Sequence, residues 1–250
     1  MNRFYIDKKG IDLKYNSIRL TDPSDVRHLA GALRLSIGEG LCVCDGEGGA
    51  YETRVDQIAR GCIVLKIVKK FKKQDRKDRT LNITLACAVP KYAHFDEVVD
   101  KGTQLGVCEI IPLITERTLL KQDAVDKKHE RFKRVMVAAA KQSGVLFLPE
   151  LRSARSFNEL IKGTSGYDLC LLPNLSVKSL SLKEAIKPLF KKQAGRRVLL
   201  MIGPEGDFTK SEIDHALKAG CQGIDLGESV LRVDTAAIAA VSFLRLSFGL

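Results

Sequence analysis

From Leu81 onward, short apolar runs alternate with helix-length amphipathic segments, and this alternation most restricts how the chain can fold. LNITLACAV, VCEIIPLIT, YDLCLL, RVLLMIG and GIDL read as strands, because they are short, apolar and rich in β-branched residues. Between them, Ala93–Leu105, Asp126–Ser143, Leu180–Lys192 and residues 210–219 read as helices, and Thr235–Phe248 reads as a last one. Gly106, Gly144 and Gly220 close three of these helices. Buried strands separated by helices predict an α/β domain on a mainly parallel sheet. Such sheets bind ligands at the carboxyl ends of their strands.

The first seventy residues read differently. Phe4–Ile6, Leu41–Cys44, Tyr51–Val55 and Cys62–Val68 are short β-prone runs, and Gly46-Glu47-Gly48-Gly49 is a hairpin connection. One helix interrupts them, with Asp22 as N-cap and Pro23 at its first position, running through VRHLAGALRL to a stop before Gly38. A small, mostly β, barrel-like domain is expected. Phe71–Arg79 is polar and has no apolar period, so it reads as a linker. The division expected is residues 1–72 and 73–250.

The chain carries 41 Lys and Arg against 30 Asp and Glu among 250 residues, a net charge of +11. Lys66–Arg79 holds eight basic and two acidic residues. A second cluster is Lys187, Lys191, Lys192, Arg196 and Arg197. A global excess plus two runs points to an anionic partner, and to nucleic acid in particular, since phosphate contacts supply most sequence-independent affinity. Lys69, Lys70, Lys72 and Lys73 are the contacts this charge suggests. A membrane surface fits less well, because neither run alternates with an apolar stripe. No apolar run approaches the roughly 18 residues of a membrane helix, and MNRFYIDKKG lacks a secretory h-region, so a cytoplasmic protein is expected. The seven cysteines form no C-x-x-C pair and read as free thiols. His28, His94, His129 and His215 have no metal-ligand spacing, so no metal is expected and surface or structural roles are the default. The G-x-S-x-G signature of serine hydrolysis does not occur.

Two segments carry the chemistry. In RVLLMIGPEGDFTKSEIDHAL a buried strand ends at Gly203, and Gly203-Pro204-Glu205-Gly206-Asp207 must turn sharply. Thr209 with Glu212 then forms a capping box that opens a helix. Such a loop can wrap a small ligand with backbone N–H and C=O groups. It matches neither the Walker loop nor G-x-G-x-x-G. In LGESVLRVDTAA a strand again ends at a glycine, and the loop leads into a helix capped by Asp234 or Thr235. Ala236, Ala237, Ala239 and Ala240 give that helix a small face for close packing.

GPEGDFTKSEI together with LGESVLRVDTAAIAA resembles the second and third motifs of the SPOUT methyltransferases, and more narrowly the 16S ribosomal RNA uridine-N3 methyltransferase family. Arg27-His28-Leu29 with Leu33-Arg34 resembles that family's N-terminal signature. Lys101–Val107 resembles its K-x-T-E-L-G-V, Thr115–Thr118 its T-E-R-S/T, and Lys141–Gly144 its E-Q-S-G. Order and spacing agree from end to end.

The resemblance implies a PUA-like β-barrel that binds RNA, followed by a SPOUT α/β domain with a C-terminal trefoil knot. It implies S-adenosylmethionine held by Leu172 and Pro173, by Gly203, Pro204, Glu205 and Gly206, by Leu226, Gly227 and Leu231, and by Thr235 and Ala236. It implies a homodimer with the site near the subunit interface, and a substrate uridine near the 3′ end of 16S ribosomal RNA in the assembled small subunit. Arg27 and Arg34 match the barrel motif and join the lysines as RNA contacts. Uracil N3 must lose its proton before or during attack, and the anion spreads onto the flanking carbonyl oxygens. Arg232, which cannot lose its charge, is the candidate to stabilise it. Asp234 is a second catalytic candidate, as base, beside its role as a helix cap. Several positions depart from the family's pattern: Asp207 for Gly, Ser229 and Val145 for Arg, Asp234 and Gln104 for Glu. The arginine losses motivate two rivals, a non-catalytic ribosome-assembly scaffold and a SPOUT enzyme acting on another nucleotide.

Overall fold

The computed structural model describes residues 3–6, 10–32, 34–76, 79–90, 94–175, 179–191 and 195–249. Leu33, Lys77, Asp78, Ala93 and Lys192, invoked above in motifs, charge runs or helix limits, lie outside the described residues. Contacts divide the chain into two units, one of residues up to Arg76 with Ala140–Leu148, the other of Lys77–Ala139 with Pro149–Leu250.

In the first unit the strands are β1 (Arg3–Tyr5), β2 (Ile11–Asp12), β3 (Ser17–Leu20), β4 (Gly40–Cys44), β5 (Ala50–Ala59) and β6 (Cys62–Lys70). They pair in the order β1-β4-β5-β6-β3-β2, antiparallel except for β1 with β4. Alternate residues of β6, Ile63, Leu65 and Ile67, point into a core with Ile18, Leu20, Leu41, Val43 and Val55, as the two-residue period of a half-buried strand requires. β5 and β6 run further than their apolar runs suggest, because each supplies the other's backbone partners beyond the core. The hairpin glycines sit between β4 and β5. Gly48 has φ +91, and a Cβ there would lie 2.3 Å from the Gln74 carbonyl. The segment after Gly144 docks on this hairpin: Leu148 N–H donates to Gly46 O (3.0 Å) and Gly48 N–H to Leu146 O (3.2 Å).

The helix expected from Pro23 to before Gly38 is shorter. Asp22 Oδ1 accepts from Asp25 N–H at 3.0 Å, α1 covers Pro23–Arg27, and a wide π turn covers His28–Ala32. Arg34 adopts φ 48, a left-handed conformation through which no helix continues.

The second unit holds β7 (Leu81–Ala88), α2 (His94–Gln104), β8 (Glu109–Ile114), α3 (Gln122–Asp126), β9 (Glu150–Leu151), β10 (Arg155–Ser156), α5 (Phe157–Ile161), β11 (Leu169–Pro173), β12 (Leu180–Ser181), α6 (Leu182–Ala185), β13 (Arg196–Ile202), α7 (Lys210–Lys218), β14 (Gln222–Asp225) and α8 (Val233–Phe248); α4 (His129–Ser143) ends within the first unit's segment. The sheet is parallel throughout, in the order β10-β8-β7-β13-β11-β14-β12, with β9 also on β8. One face packs Leu199, Met201, Leu172 and Ile111 against Phe157, Phe208 and Ile213. α8 packs against α2, β7 and β13.

Three helices differ from expectation. The helix expected over Asp126–Ser143 is α4, which starts only at His129, while Asp126 ends a separate short helix, α3. Leu180–Lys192 is α6 followed by a 3₁₀ segment, Lys187–Lys191, because Pro188 has no N–H for the α ladder. α5 went unforeseen although Ser156 and Glu159 form a capping box, a signal legible in the sequence. Arg196, counted above with a basic surface cluster, is buried: Nε donates to Leu189 O at 2.7 Å and the guanidinium lies 4.8 Å from the Phe248 ring centroid.

Arg245 of α8 is also buried, donating to Leu105 O (2.8 Å), Leu81 O (2.9 Å) and Gly106 O. Burial, and then the like charge of Arg79, holds its guanidinium below its usual range. One side chain thus ties α8 to β7 and to the end of α2. Arg245→Met leaves these carbonyls without that donor. A destabilisation of about 3 kcal/mol is expected, read by urea unfolding, with Arg245→Lys recovering part of it.

Candidate active site

β13 lies between β7 and β11, and β14 lies beyond β11. Parallel pairing puts their carboxyl ends side by side, so the loops after Pro173, Ile202 and Asp225 leave the sheet together. They enclose a cleft of about 590 Å³ that is open to solvent. Pro173, Asn174 and Leu175 form one wall; Gly203, Pro204, Glu205 and Asp207 form a second. Asp225, Leu226, Gly227 and Ser229–Leu231 form the third, with Ile202, Ile224, Val233 and Ala236 beneath.

Gly203 is tightly packed. A Cβ there would lie 3.0 Å from the Phe208 ring, which is buried under the loop. Asp207 takes φ 59, a conformation that glycine adopts without strain. Its carboxylate repairs the cost. Oδ1 accepts from Phe208 N–H at 2.7 Å, and Oδ2 accepts from Leu175 N–H at 3.0 Å, joining two walls of the cleft.

The T-E-R-T segment supports the same loop from behind. Arg117 Nη1 donates to Gly206 O. Glu116 N–H donates to buried Glu212 Oε1 at 2.9 Å, and Thr209 Oγ1 donates to Glu116 Oε2 at 3.2 Å. Glu212 meanwhile closes the expected capping box with Thr209.

Of the cofactor residues expected above, Pro173, Gly203, Pro204, Glu205, Leu226, Gly227, Leu231 and Ala236 line the cleft. Leu172 is fully buried within β11, and Gly206 and Thr235 are exposed outside the lining. Arg232 is exposed and stands between two lining residues, Leu231 and Val233. It occupies the N-cap position of α8 but makes no side-chain capping bond. Asp234 and Thr235, expected as the cap, are therefore inside the helix. Val233 is already helical, so the start lies earlier than the polar residues suggest. The Asp234 carboxylate accepts from Thr235 N–H at 2.9 Å. Ala236, Ala237 and Ala240 are buried, but Ala239 faces solvent, off the helical stripe of the other three.

Asn174, Leu175, Asp225, Val230 and Val233 line the cleft without having been singled out. Their only sequence signal is position, directly after a strand or before a helix. Among the described residues no three His, Cys, Asp or Glu side chains gather as a metal-ligand set, and no helix is long and apolar enough to cross a membrane. In the first unit Arg27, Arg34, Lys69, Lys70, Lys72 and Lys73 are all exposed. Arg27 Nε donates to Pro23 O at 3.1 Å, and Lys69 lies 5.2 Å from the Phe71 ring centroid.

Comparison with known proteins gives this architecture a class. A profile for an RNA methyltransferase domain matches residues 77–245, and one for an RNA methyltransferase PUA domain matches residues 20–68. The chain is 32% identical over 220 residues to Ribosomal RNA small subunit methyltransferase E of Synechocystis sp., covering 88% of this chain and 70% of that one. It is 28% identical over 247 residues to the protein of that name from Rickettsia conorii, covering 98% and 95%. The crystal structure of a Ribosomal RNA small subunit methyltransferase E from Neisseria gonorrhoeae bound to S-adenosyl methionine superposes with a TM-score of 0.83 at 26% identity, over 100% of this chain and 98% of that one. The chain thus belongs to the PUA-containing RNA methyltransferases whose members include Ribosomal RNA small subunit methyltransferase E.

The Asp207 bridge is testable. Asp207→Ala keeps the strained backbone and loses both bonds, so a destabilisation of about 2 kcal/mol is expected in denaturant unfolding. Asp207→Gly relieves the strain and should fall about halfway. In both, the Leu175 amide should exchange with solvent faster than in the parent.

Proposed function

We propose that the protein transfers the methyl group of S-adenosylmethionine to N3 of a uridine near the 3′ end of small-subunit (16S) ribosomal RNA. The observation that carries this reading is the three-walled cleft at the strand ends, with Arg232 between two of its lining residues. The cleft's chemistry fits the cofactor. Ile202, Ile224, Leu226, Leu231 and Ala236 offer an apolar bed for an adenine, and the carboxylates of Glu205 and Asp225 suit ribose hydroxyls. Backbone groups of Pro173, Gly203, Pro204 and Gly227 would approach it closely, with Leu172, Gly206 and Thr235 next to lining residues in sequence. When bound, S-adenosylmethionine supplies an electrophilic methyl group on a sulfonium.

The chain's own residues supply the rest. Arg232 presents a permanent positive charge where the uracil carbonyl oxygens take up negative charge. Asp234, in the first turn of α8, is the carboxylate this reading sets near the proton's exit. Holding the base in line supplies much of the rate. The Asp207 bridge keeps the glycine-rich loop tied although a family glycine is replaced, which favours an enzyme over a scaffold.

Residues 1–72 bind RNA in this reading, through Arg27, Arg34, Lys69, Lys70, Lys72 and Lys73, and residues 73–250 carry the transfer. The trefoil knot, the homodimer, the assembled small subunit as substrate and a cytoplasmic location complete it, all supported by the family resemblance.

The test is incubation with radiolabelled S-adenosylmethionine and small subunits lacking the modification, beside naked RNA, followed by digestion to nucleosides. Label in 3-methyluridine is expected; label in another nucleoside overturns the target. Arg232→Ala should lower turnover by about 100-fold or more, with cofactor affinity by calorimetry within about twofold. Replacing Lys69, Lys70, Lys72 and Lys73 together by Ala should weaken RNA binding and flatten the log affinity against log salt slope by about 3.

A further inference from the structure

Methylation at N3 requires a proton acceptor beside the acceptor base. The residues around the start of α8 supply one that the sequence left without a role. α2 begins at His94, the sixth residue after β7 ends, and α2 packs against α8. His94 Nδ1 lies 3.8 Å from Asp234 Oδ2, with the His94 side chain 47% and the Asp234 side chain 21% exposed. Val233, directly before Asp234, and Ala236, two residues after it, line the cleft.

A second observation ties this pair to the cleft. Cys87, near the end of β7, pairs in register with Ile202 of the cleft floor. Its buried thiol is pushed up, first by burial and then by the charges of Asp234 and Glu205. Asp234 and the cleft-lining Glu205 therefore bear on one point at the sheet's carboxyl edge.

We infer that His94 is the base that takes the uracil N3 proton and that Asp234 is its positioning residue. This rests on the proposed uridine-N3 transfer and deepens it. A carboxylate facing Nδ1 favours the tautomer with the proton on Nδ1, leaving the Nε2 lone pair as acceptor. The N3–H bond breaks, its electron pair stays on nitrogen, and the proton passes to Nε2. That pair on N3 would then form the bond to the methyl group as the methyl–sulfur bond of S-adenosylmethionine breaks, its electron pair going to sulfur and the neutral thioether leaving. The imidazolium formed stands beside the Asp234 carboxylate, and its exposure lets solvent take the proton away. The other charges near this start of α2 are Asp96 and Glu97 in the same helix, with Asp96 held by Arg131 of α4.

The experiment measures single-turnover methylation of small subunits across pH, with the unsubstituted protein as reference. Label in 3-methyluridine with the unsubstituted protein sustains the functional reading; none overturns that reading and this inference with it. His94→Gln, at an exposed site, should lower the rate by about 100-fold while RNA and cofactor affinities stay within about twofold. Its rate should also lose the falling limb at low pH. Imidazole added to His94→Gly should restore part of the rate. Asp234→Asn should cost about tenfold and move the ring ¹⁵N chemical shifts that report the His94 tautomer, a change visible without any turnover. A His94→Gln protein that retains near-normal rates and pH profile, or whose loss is traced to cofactor binding alone, overturns the inference.

Discussion

Parallel pairing of β13 between β7 and β11 is the constraint on which the rest depends. Seven residues of β13 pair with β7, from Arg196 opposite Leu81 to Ile202 opposite Cys87. In a parallel sheet every strand needs a crossover, so the carboxyl ends gather on one edge. Three loops from distant parts of the sequence are thereby forced to share one cleft. Its floor is the buried end of the sheet, at Ile202 and Ile224.

Loops at such an edge hold their shape only if their backbone groups find partners. Here those partners come from side chains far away in sequence. Asp207 reaches across to Leu175, Arg117 reaches Gly206 O, and Glu212 takes the N–H of Glu116. Glu212 serves its own helix as well, so one buried carboxylate joins the start of α7 to the segment after β8. The departure from the family pattern at Asp207 is explained by the same network. A left-handed backbone that glycine adopts freely is held instead by two hydrogen bonds.

Much of the fold was legible. The five long strands of the second unit stand where apolar runs stood, and capping boxes marked α7 truly. Failures cluster where tertiary partners decide. The two-residue strands β2, β9, β10 and β12 carry no periodicity and exist only because a neighbour offers backbone groups. The segment Ala140–Leu148 reads locally as the end of a helix and a loop, yet its backbone bonds to the hairpin at Gly46 and Gly48. Arg196 and Arg245 look like surface charge in sequence but are buried against carbonyl oxygens.

By itself the sequence determined the α/β class, the position of the glycine-rich turn, the capping of α7 and the family motifs. These depend on local periodicity, on backbone freedom and on residue order, all of which are one-dimensional. Only the tertiary structure decided which loops meet, that Asp207 bridges two of them, that α8 starts at Val233 rather than after Asp234, and that His94 stands beside Asp234. Those facts join residues up to 140 positions apart, His94 with Asp234 among them. Burial and hydrogen-bond geometry in the folded state set such pairings, and no local pattern encodes them.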